Sequence, residues 1–292
     1  MSIQSIIKSN KPNLKETSLN LYENNLNKLN KYINNNKNIL ENIKNKNLVI
    51  DTINKNYTTT SSRRNIYTAI LSILKQNNKL YTDYKTLEQG LNNLQNKMYI
   101  NNDINPKKKK KIDEIDEDDI DYLLSVLLKN DELENYLIFK LVYTYGFRNE
   151  ISNLKIIQIK NYNKLVESVK NINNYLVFGS KALFIVRNIY KTSGTYGEVV
   201  TQIQNKELKK YLKKYIVILK KKNDIYLFNN LTSNQFSNRM RYISNKYLGV
   251  EISGNLLYKI SNKKYSKNKQ ELGEKARNRG HSIQTQSLVY IP

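Results

Sequence analysis

The sequence predicts a mainly α-helical protein with a small antiparallel β-sheet in its C-terminal domain. Three observations carry this. Apolar residues recur at helical spacing through the first hundred positions, a block of like charges interrupts the chain near residue 110, and short β-rich runs cluster between residues 175 and 203.

The first domain, residues 1–100, is expected to be helical throughout. "SLNLYENNLNKLNKYI" spaces Leu19, Tyr22, Leu26, Leu29 and Ile33 along one helix face, with Ser18 as the expected cap. "TTTSSRRNIYTAILSILKQ" repeats the plan with Ile66, Ile70, Ile73 and Leu74. Two such stripes are enough to close a small bundle. Arg63 and Arg64 fall at the start of the second helix, where an arginine pair can hold a phosphate backbone or simply meet solvent.

The composition then breaks at "INPKKKKKIDEIDEDDIDYLL", where Lys107 to Lys111 run into a dense row of acids. Charges so crowded cannot form a core. Residues 101–115 therefore read as a charged linker, and the acids after it as the first turn of a helix, where they suit the helix dipole. The second domain is residues 116–292. Its first stretch, to Phe147, predicts two helices; "YLVFG", "ALFIVRNI" and "GTYGEVVTQI" predict three strands of an antiparallel sheet. Helices follow at "NKELKKYLKKYIVIL", "TSNQFSNRMRYISNKYL", "NLLYKISNKKYS", "KQELGEKARNRG" and the terminus.

Charge narrows the partners. Against 25 acids the 292 residues carry 49 Lys and Arg, a net +24, and both domains are basic. A polyanion such as double-stranded DNA is the expected partner. A membrane is not, because no apolar run approaches the roughly eighteen residues needed to span a bilayer and the N-terminus lacks a signal-peptide core. The chain has one histidine and no cysteine, so disulfides, thiolate metal sites and cysteine nucleophiles are excluded. Much of the Asn, Ile and Tyr content, and part of the Lys excess, reads as the bias of an AT-rich genome. No GxxxxGK[ST] loop is present, which argues against an ATP-driven motor or kinase, and no metal or other cofactor is expected.

What these residues can support is nucleophilic chemistry on phosphate without a metal. It needs a nucleophile, cations for the non-bridging oxygens and an acid for the leaving oxygen. "YTYGFRNEISNLK" offers Arg148 beside Gly146, and "RNIYKTSGTYGEVV" offers Lys191 at a strand end before a Ser-Gly turn, an expected hairpin tip. "RGHSIQTQSLVYIP" offers His281 and, nine residues on, Tyr290.

Taken in that order, Arg148, Lys191, His281 and Tyr290 resemble the tyrosine recombinase (phage integrase) family. The likeness runs nearly end to end. "RNEISNLKI", "NNYLVF", "YKTSGTYGE" and "RGHSIQTQSLVY" together are similar to members from giant DNA viruses and virophages. The resemblance implies a helical core-binding (SAM-like) domain followed by a catalytic domain, clamping duplex DNA between them. It also implies site-specific DNA recombination or integration through a 3′-phosphotyrosyl intermediate, without ATP or metal. Tyr290 would be the nucleophile, Arg148 the first phosphate-binding arginine, Lys191 the acid for the leaving 5′ oxygen and His281 a hydrogen-bond donor to the phosphate. A monomer or dimer in solution and a homo-tetramer on synapsed DNA are implied, in an intracellular setting such as a host cytoplasm or nucleus. Arg63, Arg64, Lys107, Lys108, Arg277 and Arg279 are the expected DNA contacts.

The chain departs from the family in "SGNLLYKISNKKY", where a His-x-x-Arg motif should supply a second arginine. Asn255 stands in the histidine's place and Tyr258 in the arginine's. A phenol carries no permanent charge, and losing such a donor costs about 3 kcal/mol of transition-state stabilisation. Lys259, Arg277 and Arg279 are the nearby cations that could substitute. Two alternatives follow: a catalytically impaired recombinase-fold DNA-binding or architectural protein, and a type IB topoisomerase-like activity. A further departure is the ending, since only Ile291 and Pro292 follow Tyr290.

Overall fold

A computed structural model describes residues 2–76, 78–100, 114–265 and 269–280. The chain divides into two compact units, Met1–Asp103 and Ile104–Pro292. Of the expected linker, residues 101–113 lie outside the described residues, Lys107 and Lys108 among them.

Among the described residues the first unit has six helices: α1 (Ile3–Asn10), α2 (Glu16–Ile33), α3 (Ile39–Asn42), α4 (Lys46–Asn56), α5 (Thr60–Ile73) and α6 (Lys79–Ile100). Their shared core holds Leu19, Leu26, Leu29, Ile66, Ile70, Ile73 and Leu74, with Tyr22 and Ile33 packed at its margin. The helix periodicity of 3.6 is what puts those residues on one side. Ser18 does not cap α2. The helix begins two residues earlier, at Glu16, where the acid meets the positive end of the dipole. Tyr84 of α6 is fully buried and donates its hydroxyl to the Ile43 carbonyl, closing the bundle over α3.

The second unit opens with α7 (Glu117–Lys129) and α8 (Leu133–Tyr145). Asp116 and Asp119 form a reciprocal capping box at the start of α7, so the acid run does start a helix. Gly146, at φ +70°, ends α8 in the left-handed conformation and turns the chain into a short 3-10 helix, Asn149–Asn153. Four strands follow, β1 (Lys155–Gln158), β2 (Tyr175–Phe178), β3 (Leu183–Arg187) and β4 (Val199–Gln202), in sheet order β1-β2-β3-β4. The four-residue helices α9 (Ile159–Tyr162) and α10 (Glu167–Lys170) lie between β1 and β2, and α11 (Ser193–Tyr196) lies between β3 and β4.

The sheet is mixed rather than antiparallel. β2–β3 and β3–β4 run antiparallel as expected, but β1 lies parallel to β2, pairing Lys155 with Tyr175. Its outer edge bonds to a distant segment, Ile156 N–H to the Ile225 carbonyl. The run "KIIQ" has no alternation that marks it as a strand, so long-range pairing decides it. The β3–β4 connection is no tight tip either: it spans residues 188–198 and contains α11.

Helices α12 (Lys206–Lys221), α13 (Ser233–Leu248), α14 (Gly254–Tyr265) and α15 (Lys269–Arg279) follow among the described residues. On α12, Leu208, Leu212, Tyr215, Ile216 and Leu219 point into the main core beside Leu137, Leu141, Phe236 and Met240. Arg239 of α13 grips both carboxylate oxygens of Glu134 on α8, at 2.8 and 3.0 Å. The period of two splits the sheet into faces. Leu176, Leu183 and Ile185 join the helical core, while Tyr175, Val177 and Val186 form a small second cluster with Tyr162 and Leu165.

Candidate anion-binding site

The turn that ends α8 is the foundation of the site. Gly146 cannot carry a side chain, because a Cβ there would overlap the ring of Tyr258 from α14. Two residues later Arg148 sits at the N-terminal end of the 3-10 helix, partly buried, with its Nη1 enclosed and without a hydrogen-bond partner. Next to it is a residue that sequence reasoning passed over. Arg187 ends β3 on the same face as Leu183 and Ile185, so the alternation of the strand drives its guanidinium inward, and it is fully buried. An arginine at an inward position of an otherwise apolar strand was the signal for it.

Arg187 is held without being satisfied. Its guanidinium lies over the rings of Tyr190 and Phe147, 5.0 and 5.3 Å from their centroids, and its Nη1 is 3.6 Å from the Glu150 carboxylate. Neither its Nε nor its Nη1 has a hydrogen-bond partner, and Oε1 of Glu150 has none. Burial pulls its pKa down to about 10; Glu150 and Tyr190 oppose this, and the positive fields of Arg148 and Arg279 add to it. Three guanidinium groups therefore share one neighbourhood. A buried cation short of partners costs several kcal/mol unless an anion completes it.

Backbone clamps hold these pieces in register. Asn174, buried at the start of β2, donates to the carbonyls of Ile189 and Glu150 and accepts from the N–H groups of Asn188 and Ile189. One side chain thus ties the exit of β3 to the 3-10 helix that Arg148 begins. Beyond it Lys191 is exposed on the β3–β4 connection, between two anchors. Tyr190 donates its hydroxyl to the Gly197 carbonyl, and Thr192 donates to the Gly280 carbonyl, 2.6 Å away.

Gly280 brings in α15. This helix is seated by Lys275, whose ammonium donates to Ser261 Oγ of α14 at 3.0 Å. Its last residue, Arg279, is 1 % exposed and donates to the carbonyls of Gly146 and Phe147 and to Oδ1 of Asn255, with its guanidinium 4.1 Å from the centroid of the Tyr258 ring. Arg277 is exposed by comparison. His281 and Tyr290 lie outside the described residues.

The other expected DNA contacts are in the first unit. Arg63 donates to the carbonyls of Tyr57 and Asn54 at the C-terminal end of α4, and Arg64 to Asn92 Oδ1 on α6. Both guanidinium groups thus make internal bonds. Among the described residues no helix is long and apolar enough to cross a membrane.

The arrangement can bind a compact oxyanion. Guanidinium forks match the paired non-bridging oxygens of a phosphate, and a partly dry setting strengthens the contact. No protein-family model matches the chain, and no curated protein sequence does. Among solved structures, the crystal structure of XerA recombinase is similar to it. That likeness covers 98% of this chain and 91% of the other, at 14% sequence identity and a TM-score of 0.42.

Proposed function

We propose that the chain is a DNA-cleaving and rejoining enzyme of the tyrosine recombinase type, with duplex DNA as its partner. The supporting observation is convergence: Arg148, Arg187 and Arg279 share one electrostatic neighbourhood, and the Lys191 loop is bonded to Gly280, the residue immediately before His281. The segments of Arg148, Lys191 and Gly280, which along the chain follow the order of the motif, thus meet. Arg148 would bind the scissile phosphate, Lys191 would protonate the leaving 5′ oxygen, His281 would donate to a phosphate oxygen and Tyr290 would attack phosphorus. In that step the Tyr290 phenol gives up its proton to solvent, the new Tyr290 O–P bond forms as the 5′ O–P bond breaks, and the 5′ oxygen takes a proton from Lys191. The energy of the phosphodiester stays in the phosphotyrosyl link and permits religation.

A nicked suicide DNA substrate tests this. A denaturation-resistant protein–DNA adduct that disappears in Tyr290→Phe is expected, and absence of adduct on any cognate substrate would sink the catalytic role. The charge surplus predicts DNA binding that weakens steeply with salt. The buried phenol at Tyr258 favours a second reading, a recombinase-fold protein that binds DNA without cutting it. The adduct assay separates the two, because only the binding-only protein keeps salt-sensitive affinity while forming no covalent product.

A further inference from the structure

Tyr258 supplies no charge, yet its position leaves no gap. We infer that Arg279, delivered from the end of α15, is the positioning residue that stands in for an arginine at 258, a role that rests on the proposed phosphate site at Arg148. Its two carbonyl acceptors belong to Gly146 and Phe147, the residues directly before Arg148. Clamping that turn fixes the direction in which Arg148 leaves the backbone.

The neighbouring side chains are shaped for this guest. The guanidinium sits over the Tyr258 ring, 4.1 Å from its centroid, a contact that stabilises a cation most where water is excluded. Asn255 accepts from Nη2. Gly146 must lack a Cβ for the ring to reach this place at all. The pair Asn255 and Tyr258 is therefore a bracket for an arginine that arrives from another helix, and of the three candidate substitutes it selects Arg279. Arg277 is exposed, whereas Arg279 is buried against Tyr258 and Asn255.

The same helix end reaches the second cation. Arg279 holds the Arg148 turn, and the next carbonyl, that of Gly280, accepts from Thr192 beside Lys191. Gly280 is required here because it has φ +67° and a Cβ would press on Thr192 and Tyr190. Docking of α15 thus sets Arg148 and Lys191 together.

A double-mutant cycle on the full chain tests the inference, with inorganic phosphate as probe and calorimetric affinity as readout. R148A and R279Q are each expected to weaken phosphate binding about tenfold, the range of a charge-assisted hydrogen bond. The double variant should be no weaker than R148A, because Arg279 acts through Arg148. R279K, which keeps the charge but cannot span two carbonyls and Asn255, should recover part of the loss. Should R279Q lack a native circular dichroism spectrum, R279K against R279M carries the comparison. Y258R should weaken binding as well, since it removes the ring and sets a like charge against Arg279. Wild-type affinity in R279Q, additive losses in the double variant, or a gain in Y258R would overturn the inference. If R148A itself leaves phosphate affinity unchanged, the phosphate site and the role of Arg279 fall together; if R148A matters and R279Q does not, only the role of Arg279 falls.

Discussion

Thr192 donates its hydroxyl to the carbonyl of Gly280 at 2.6 Å, joining residues 88 positions apart in the chain. The bond hooks the loop that bears Lys191 onto the helix end that bears Arg279. Replacing Thr192 with valine keeps the shape and removes the donor. Stability is expected to fall by about 1 kcal/mol. Adduct formation in single turnover should slow by about tenfold to a hundredfold from misplacement of Lys191. DNA affinity, measured by fluorescence anisotropy, should stay at the wild-type value.

Buried Arg187 and partly buried Glu150 make a pair that the free protein satisfies poorly. The double variant R187M/E150Q is expected to lie within about 1 kcal/mol of wild type, or above it, in urea unfolding, because neither replacement carries a charge that must be desolvated. Phosphate should stabilise it less than wild type in thermal melts, since the site has lost a cation. The pH dependence has a definite sign. The folded-state pKa of about 10 lies below the ordinary arginine value, so the unfolded chain holds that proton more tightly. The penalty from Arg187 is therefore fully present at neutral pH and is relieved as the pH rises through about 10, and the difference between wild type and R187M/E150Q should narrow there.

Gly146→Ala places a Cβ at φ +70° and against the Tyr258 ring. The backbone strain alone costs about 1–3 kcal/mol, and the overlap adds to it. The urea midpoint should drop by the corresponding amount. Phosphate affinity should fall too, because the turn holds both Arg148 and the carbonyl that Arg279 grips.

Arg63→Ala distinguishes an internal clamp from a DNA contact. With Nε 2.7 Å from the Tyr57 carbonyl, Arg63 caps the end of α4, and its loss should cost about 1–2 kcal/mol in urea unfolding. If its main role were a phosphate contact, the urea midpoint would hold while the salt slope of DNA binding fell by about one.

The helices were legible because their causes are local. Leu19, Leu26 and Leu29 repeat at helical spacing, and the acids at 116–119 sit where a helix N-terminus accepts them. The turn before Arg148 was legible too, since Gly146 marks a helix end, whereas the Ser-Gly step after Lys191 falls in a short helix rather than a hairpin tip. Other features were not. The run "KIIQ" became a parallel strand through partners at 175–178 and 225, and no local pattern predicts partners so distant.

By itself, then, the sequence determined which segments coil and where the chain turns, through periodicity, caps and glycines acting over a few residues. It also determined the surplus of positive charge and the order of the candidate site residues. Only the tertiary structure decided that Arg187 is buried beside Glu150, and that the guanidinium over the Tyr258 ring comes from position 279. Arg279 reaches Gly146 across 133 residues of chain. Contacts of that span depend on how whole helices dock, and docking is set by the summed burial of many apolar side chains rather than by any one motif.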